Sequence, residues 1–104
     1  MVTAARAVQV SPSVRSYIIE LANATRSHAY LELGMSPRAS VALQRAARAL
    51  AASEGRDFIT PDDVKRLASP VLEHRLILRP EFEIEGLGIG EVIQTILQQI
   101  AVPR

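Results

Sequence analysis

The sequence predicts an all-α domain, a small bundle of four to five helices with room for one short extended segment. Three observations carry that expectation. A Ser/Thr–Pro pair recurs at Ser11-Pro12, Ser36-Pro37, Thr60-Pro61 and Ser69-Pro70. A hydroxyl cap followed by proline marks a helix start, because the N–H that proline lacks has no helical partner there. Apolar residues behind these starts recur at helical spacing. Finally, 48% of the chain is hydrophobic but only 4% is aromatic, and much of the rest is alanine. Small residues suit closely approaching helices better than a sheet sandwich. At 104 residues the chain makes one domain, long enough to bury roughly 60–70% of its unfolded surface. With no cysteine, disulfides and thiolate chemistry are excluded. The spacing of the four pairs is uneven, so they divide the chain rather than repeat it.

The first helix is expected over residues 12–27, where Val14, Ile18, Leu21, Ala22 and Thr25 form one stripe and Arg15, Glu20, Asn23 and Arg26 face elsewhere. A loop over residues 28–35, containing Gly34, leads to the second helix. That helix spans residues 37–54 and is closed by Gly55 at the C′ position. Its seam of Ala39, Leu43, Ala46, Ala47, Leu50 and Ala51 is narrow and small, while Arg45 and Arg48 read as a solvated face. Phe58 and Ile59 form an extended link. Thr60-Pro61-Asp62-Asp63 then has the composition of a capping box whose acids complement the helix dipole. Ser69-Pro70 is expected to break or kink this third helix, since an interior proline costs about 3 kcal/mol.

Beyond it, Val71, Leu72, Leu76 and Ile77 continue apolar until Arg79-Pro80. Glu81, Glu83 and Glu85 alternate with Phe82, Ile84 and Leu87, as in a short strand or an irregular acidic arm, and Gly86, Gly88 and Gly90 loosen the segment. A last helix over residues 91–101 carries Val92, Ile93, Ile96, Leu97 and Ile100, and Val102-Pro103-Arg104 ends the chain. The core is thus expected within residues 8–80, with 81–104 a flexible acidic arm plus a short terminal helix that packs on the bundle or docks elsewhere.

Arg38 is the residue that stands out. It falls in the first turn of the second helix, where the positive end of the dipole disfavours a cation by a few tenths to about 1 kcal/mol. An anion held jointly by the helix terminus and the guanidinium makes such an arginine useful, and phosphate fits that description. On spacing alone, a solvated arginine without a role is an equal reading.

The charge balance is +1, from twelve basic and eleven acidic residues. It suits neither a nucleic-acid groove nor a membrane surface. No apolar run approaches the ~20 residues of a membrane span, and the amino terminus has no signal-peptide pattern, so a cytoplasmic protein is expected. There is no phosphate-binding P-loop motif and no nucleophile elbow. His28 and His74 have no ligand-spaced partners and read as structural, and Asp62 and Asp63 read as capping charges, so no metal site is expected. Alone, the chain is expected to catalyse nothing.

Three segments in order carry a family resemblance: Gly34-Met35-Ser36-Pro37-Arg38-Ala39-Ser40, Gly55 to Lys65 with Arg56 and Thr60-Pro61-Asp62-Asp63-Val64, and Val71-Leu72-Glu73-His74-Arg75-Leu76. Over residues 8–80 the chain resembles the C-terminal lid domain of a MoxR-type AAA+ ATPase. Met35 stands where that family usually has a small residue. The resemblance implies that Arg38, following Pro37, is the sensor 2 arginine that reaches the phosphates of ATP, and that Tyr17 and Ile18 lie on the adenine side. It implies ATP with magnesium, both held mainly by a large domain outside this sequence. Its implied partners are that large domain, the neighbouring subunits of a ring, usually a hexamer, and a von Willebrand factor A domain protein. The parent would be a chaperone-like ATPase that matures protein complexes. A different reading comes from Ile59-Thr60-Pro61-Asp62-Asp63-Val64, which is similar to histone-fold helix starts and implies a stand-alone interaction or DNA-binding module.

Overall fold

Three of the four Ser/Thr–Pro pairs open helices in the computed structural model, which describes residues 8–102. Helix α1 covers Pro12–Arg26, α2 Pro37–Ser53 and α3 Pro61–Leu72. Each cap is made by the expected hydroxyl. Ser11 Oγ accepts from the Val14 N–H at 3.3 Å, Ser36 Oγ from Ala39 at 3.1 Å and Thr60 Oγ1 from Asp63 at 3.3 Å. At α3 the Asp63 carboxylate returns to the Thr60 N–H at 2.8 Å, completing the capping box. Gly55 ends α2 with φ +75°, a conformation that strains other residues.

The fourth pair behaves otherwise. Ser69 caps nothing, and α3 runs through Pro70 to Leu72. Proline's own φ is compatible with a helix, and the chain leaves the helix within a turn. Pro70 is also exposed, so the carbonyl four residues earlier, deprived of its donor, is on the side that water reaches. The Arg75 guanidinium then donates to the Val71 carbonyl at 2.8 Å, putting a cation at the negative end of α3.

Two short strands occupy places where the sequence suggested a loop and the tail of a helix. β1, Leu31–Leu33, pairs antiparallel with β2, Ile77–Leu78, and the register shifts between Leu31 and Leu33. Leu31 and Leu78 are buried, whereas the facing Leu33 and Ile77 are half exposed. The Phe58 link is extended as expected, and it forms a parallel bridge with Gln9 at the start of the described chain.

Downstream of residue 80 the chain is neither a strand nor an open arm. Helix α4, Pro80–Ile84, follows β2, and α5 spans Ile89–Gln99. Proline at the first position and two acids in the first turn favour this single helical turn over a strand. The Phe82 ring lies 4.4 Å from that of Tyr30. Gly86, at φ +88°, closes α4. A Cβ at Gly90 would stand 2.9 Å from Glu73 Oε1, so this glycine lets a carboxylate approach the α5 N-terminus. Pro103 and Arg104, read as the chain's ending, lie outside the described residues.

The core is shared among all three long helices and α5. Val14, Tyr17, Ile18, Leu21 and Ala22 come from α1, and Ala39, Leu43, Ala47 and Ala51 from α2. Val64, Ala68 and Leu72 come from α3, and Val92, Ile93, Ile96 and Leu97 from α5. The core therefore extends past residue 80, and α5 packs on the bundle. Among the described residues the fold is five helices and one two-stranded sheet, with no helix long and apolar enough to cross a membrane.

Candidate functional site

The N-terminal face of α2 gathers the residues of most chemical interest. Pro37, Arg38, Val41, Ala42 and Arg45 line one open groove. Their spacing, roughly i, i+3, i+4 and i+7, is that of a single helical face. Arg38 is exposed in the first turn, where no acidic residue offsets it. Among the described residues no carboxylate lines the groove. Free helix N–H groups, a guanidinium fork and the absence of a competing acid together suit a phosphate group. Arg45, read from the sequence as solvated surface, shares this groove. Arg48 differs again: it is half-buried, and its Nε is enclosed without a partner.

The position of that face is set by the end of α1. Thr25, 1% exposed, donates its hydroxyl to the Ala22 carbonyl at 2.7 Å and accepts the Met35 N–H at 2.9 Å. Arg26 Nε donates to the Met35 carbonyl at 2.7 Å. Both polar groups of the residue before the Ser36 cap are therefore held by α1. Gly34 permits this approach, since a Cβ there would lie 2.6 Å from the Arg26 backbone. Met35 itself is buried and fills the space beneath. Neither contact was legible from residue spacing: Thr25 read as part of the apolar stripe, and Arg26 as facing elsewhere.

Tyr17 and Ile18 are not part of the α2 groove. Ile18 is a core residue. Tyr17 is 1% exposed and edges a separate groove with Ser13, Ser16, Glu20, Ala101 and Val102. Its hydroxyl has no hydrogen-bond partner among the described residues, and burial, with the Asp62 charge adding to it, pushes the phenol above its ordinary pKa. Of the four residues singled out from the sequence, the fold thus brings Pro37 and Arg38 together and sets Tyr17 and Ile18 apart.

The strongest electrostatic feature lies at the α2–α3 corner. The Arg56 guanidinium forks onto Asp63, with Nη1 to Oδ2 and Nη2 to Oδ1 each at 2.8 Å, and Nη1 also donates to the Phe58 carbonyl at 3.1 Å. Glu54 joins Arg56 and Arg66 on the exposed side, and these two arginines hold its carboxyl below the usual range. Asp63 was expected as a capping charge and is one, but it is also 2% exposed and ion-paired. The capping role was legible locally; the arginine seven residues upstream was not.

His28 Nδ1 accepts the Tyr30 N–H at 3.1 Å and its ring meets Tyr30 edge-on. Among the described residues no group of three or more histidine, cysteine or acidic side chains is placed to hold a metal ion.

Comparison with known proteins identifies the fold family. The model of the AAA lid domain matches residues 23–100. Protein YeaC of Bacillus subtilis, uncharacterised, is 40% identical over 96 residues, covering 92% of this chain and 30% of that protein. The chaperone MoxR1 of Mycobacterium tuberculosis is 34% identical over 97 residues, covering 85% of this chain and 26% of its own. A crystal structure of a candidate ATPase from Cytophaga hutchinsonii superposes with a TM-score of 0.92 at 37% identity, over 98% of this chain and 34% of that one. The fold is that of an AAA+ lid. The chain belongs to the AAA lid domain family, and its relatives are of the MoxR type. It spans about a third or less of the length of these relatives.

Proposed function

We propose that this chain is the C-terminal lid of an AAA+ ATPase, closing over ATP held on a P-loop domain outside the sequence. The observation that carries the reading is Arg38, an exposed arginine at the start of a capped helix, in a groove with no carboxylate. Its guanidinium fork, aided by the free N–H groups of the first turn, would hold the terminal phosphates of ATP as a sensor 2 residue. Charge grows on those oxygens during hydrolysis, and a donor held ready for it lowers the barrier. Pro37 fixes the first-turn backbone. Tyr17 and Ile18 are the residues that the resemblance puts on the adenine side, although both are buried here and lie outside the α2 groove. Magnesium belongs to the large domain, since phosphate oxygens rather than this chain's groove would supply its ligands.

The parent is read as a chaperone-like ATPase for the maturation of protein complexes, in the cytoplasm. In it the lid meets the large domain of its own subunit and a neighbour in a ring, taken as a hexamer, with a von Willebrand factor A domain protein as further partner. The relative named as a chaperone supports this reading.

Substituting Arg38 in the longer protein tests it. Arg38→Ala should leave the melting temperature unchanged or slightly raised, because a cation leaves the positive end of a helix. Turnover at saturating ATP should nevertheless fall about ten- to a thousandfold. Arg38→Lys should recover only part of it, lacking the bidentate fork. Equal turnover in wild type and Arg38→Ala rings would remove the sensor assignment.

A further inference from the structure

We infer that Thr25 and Arg26 are positioning residues that set the α2 N-terminus, and through it Arg38, by holding both the N–H and the carbonyl of Met35. The inference rests on the reading of Arg38 as a phosphate-contacting residue. Its basis is the pair of bonds from consecutive α1 residues: Thr25 Oγ1 takes the Met35 N–H at 2.9 Å, and Arg26 Nε reaches the Met35 carbonyl at 2.7 Å. A third constraint is steric. Gly34 lies so close to the Thr25–Arg26 backbone that a Cβ would be 2.6–2.7 Å from it. Residue 35 is therefore held at its N–H and its carbonyl, and by the close approach of Gly34, all against the end of α1.

One residue later Ser36 caps α2, and two residues after that Arg38 leaves the helix. The lever between clamp and guanidinium is three residues long and includes Pro37, which has little freedom of its own. A shift at Met35 therefore passes to Arg38 almost undamped. Thr25 is buried and could be explained by core packing alone. Arg26 is exposed, pairs with no acid among the described residues and spends its Nε on a backbone carbonyl. That is poorly explained by surface solubility and well explained by placement.

Steady-state ATP hydrolysis by the assembled longer protein tests the inference, using Arg26→Ala, Arg38→Ala and the double variant. A misplaced catalytic group costs rate, and a 1 Å displacement can reach about a hundredfold. Arg26→Ala should lower kcat about three- to thirtyfold with KM within about twofold, and Arg26→Lys should recover part of it, because an ammonium can still donate to the Met35 carbonyl. Acting through Arg38, it should add nothing in the Arg38→Ala background. Thr25→Val, which keeps the volume and loses both bonds, should behave in the same way. Amide exchange should accelerate at Ala39 and Ser40, the first hydrogen-bonded amides of α2, while α3 and α5 keep their protection.

Unchanged kcat in Arg26→Ala, losses that multiply in the double variant, or loss of protection throughout the helices would each overturn the inference. If Arg38→Ala turns over normally, the sensor reading falls and the inference falls with it. If Arg38→Ala is impaired and Arg26→Ala is not, only the inference falls.

Discussion

Burial alone would raise the pKa of the Asp63 carboxyl, but the hydrogen bonds from Arg56 and from the Thr60 N–H outweigh it and hold the group below its ordinary value. The folded state therefore prefers the ionised form more than the unfolded chain does. Its contribution is complete above the unfolded value of about 3.9 and disappears as pH falls through the lower folded one. Thermal unfolding between pH 7 and pH 2 should show stability dropping below about pH 4, and Asp63→Asn should flatten that drop while lowering stability at pH 7 by about 1.5–3 kcal/mol. A wild-type acid slope surviving in Asp63→Asn would assign it to other carboxylates. At this scale the sequence was legible wherever partners lie within one turn. The caps Ser36 and Thr60, and the first-turn position of Arg38, were readable from their neighbours alone. Thr25 and Arg26 were not, because their partner is about ten residues away and is delivered by a turn and a strand.

The α2–α3 pair is the clearest case among the elements. Ala39, Leu43, Ala47 and Ala51 recur every four residues on α2, and Val64, Ala68 and Leu72 do so on α3. Small residues on both faces let the axes approach, and the larger ones fill the spaces between. Leu43→Ala should cost about 2–5 kcal/mol, the loss of burial plus the cavity left behind. Ala47→Leu should also destabilise, by about 1–3 kcal/mol, because the seam has no room for three more heavy atoms. Urea titrations with unchanged slopes would verify both, and a neutral Ala47→Leu would show the seam to be loose. The elements that departed from expectation did so where two signals compete. Pro70 predicts a break, yet a helix that is about to end loses little by containing it. Glu81 to Ile84 alternates like a strand, but Pro80 and the Phe82–Tyr30 contact favour one helical turn.

For the molecule as a whole, the α2 groove is open, and one arginine at a helix terminus supplies only ~1–3 kcal/mol. Micromolar affinity needs about 8 kcal/mol. The separate chain should therefore hydrolyse no ATP and bind it more weakly than about 10 μM by calorimetry. Tighter binding would mean that the groove is a complete site without a second domain. Mixing the chain with duplex DNA at low salt addresses the histone-like reading: salt-sensitive micromolar association would favour it, and none is expected from a charge of +1.

By itself the sequence determined the starts of the three long helices, most of their buried faces and the exposed Arg38, although Ala46 and Leu50 of the expected seam are only half-buried and Tyr17 joins the buried face of α1. Caps, prolines and apolar periodicity act over at most a few turns, so residue order is enough to read them. Only the tertiary structure decided that Leu31 pairs with Leu78, that α5 completes the core, that Arg56 finds Asp63 and that α1 grips Met35. The apolar face of α5 was visible in its spacing but its docking place was not, and the other three join groups whose spacing offers no periodic or capping signal. They become neighbours only after the helices have packed, because burial of the shared core brings the chain segments together and leaves each polar group one place to bond.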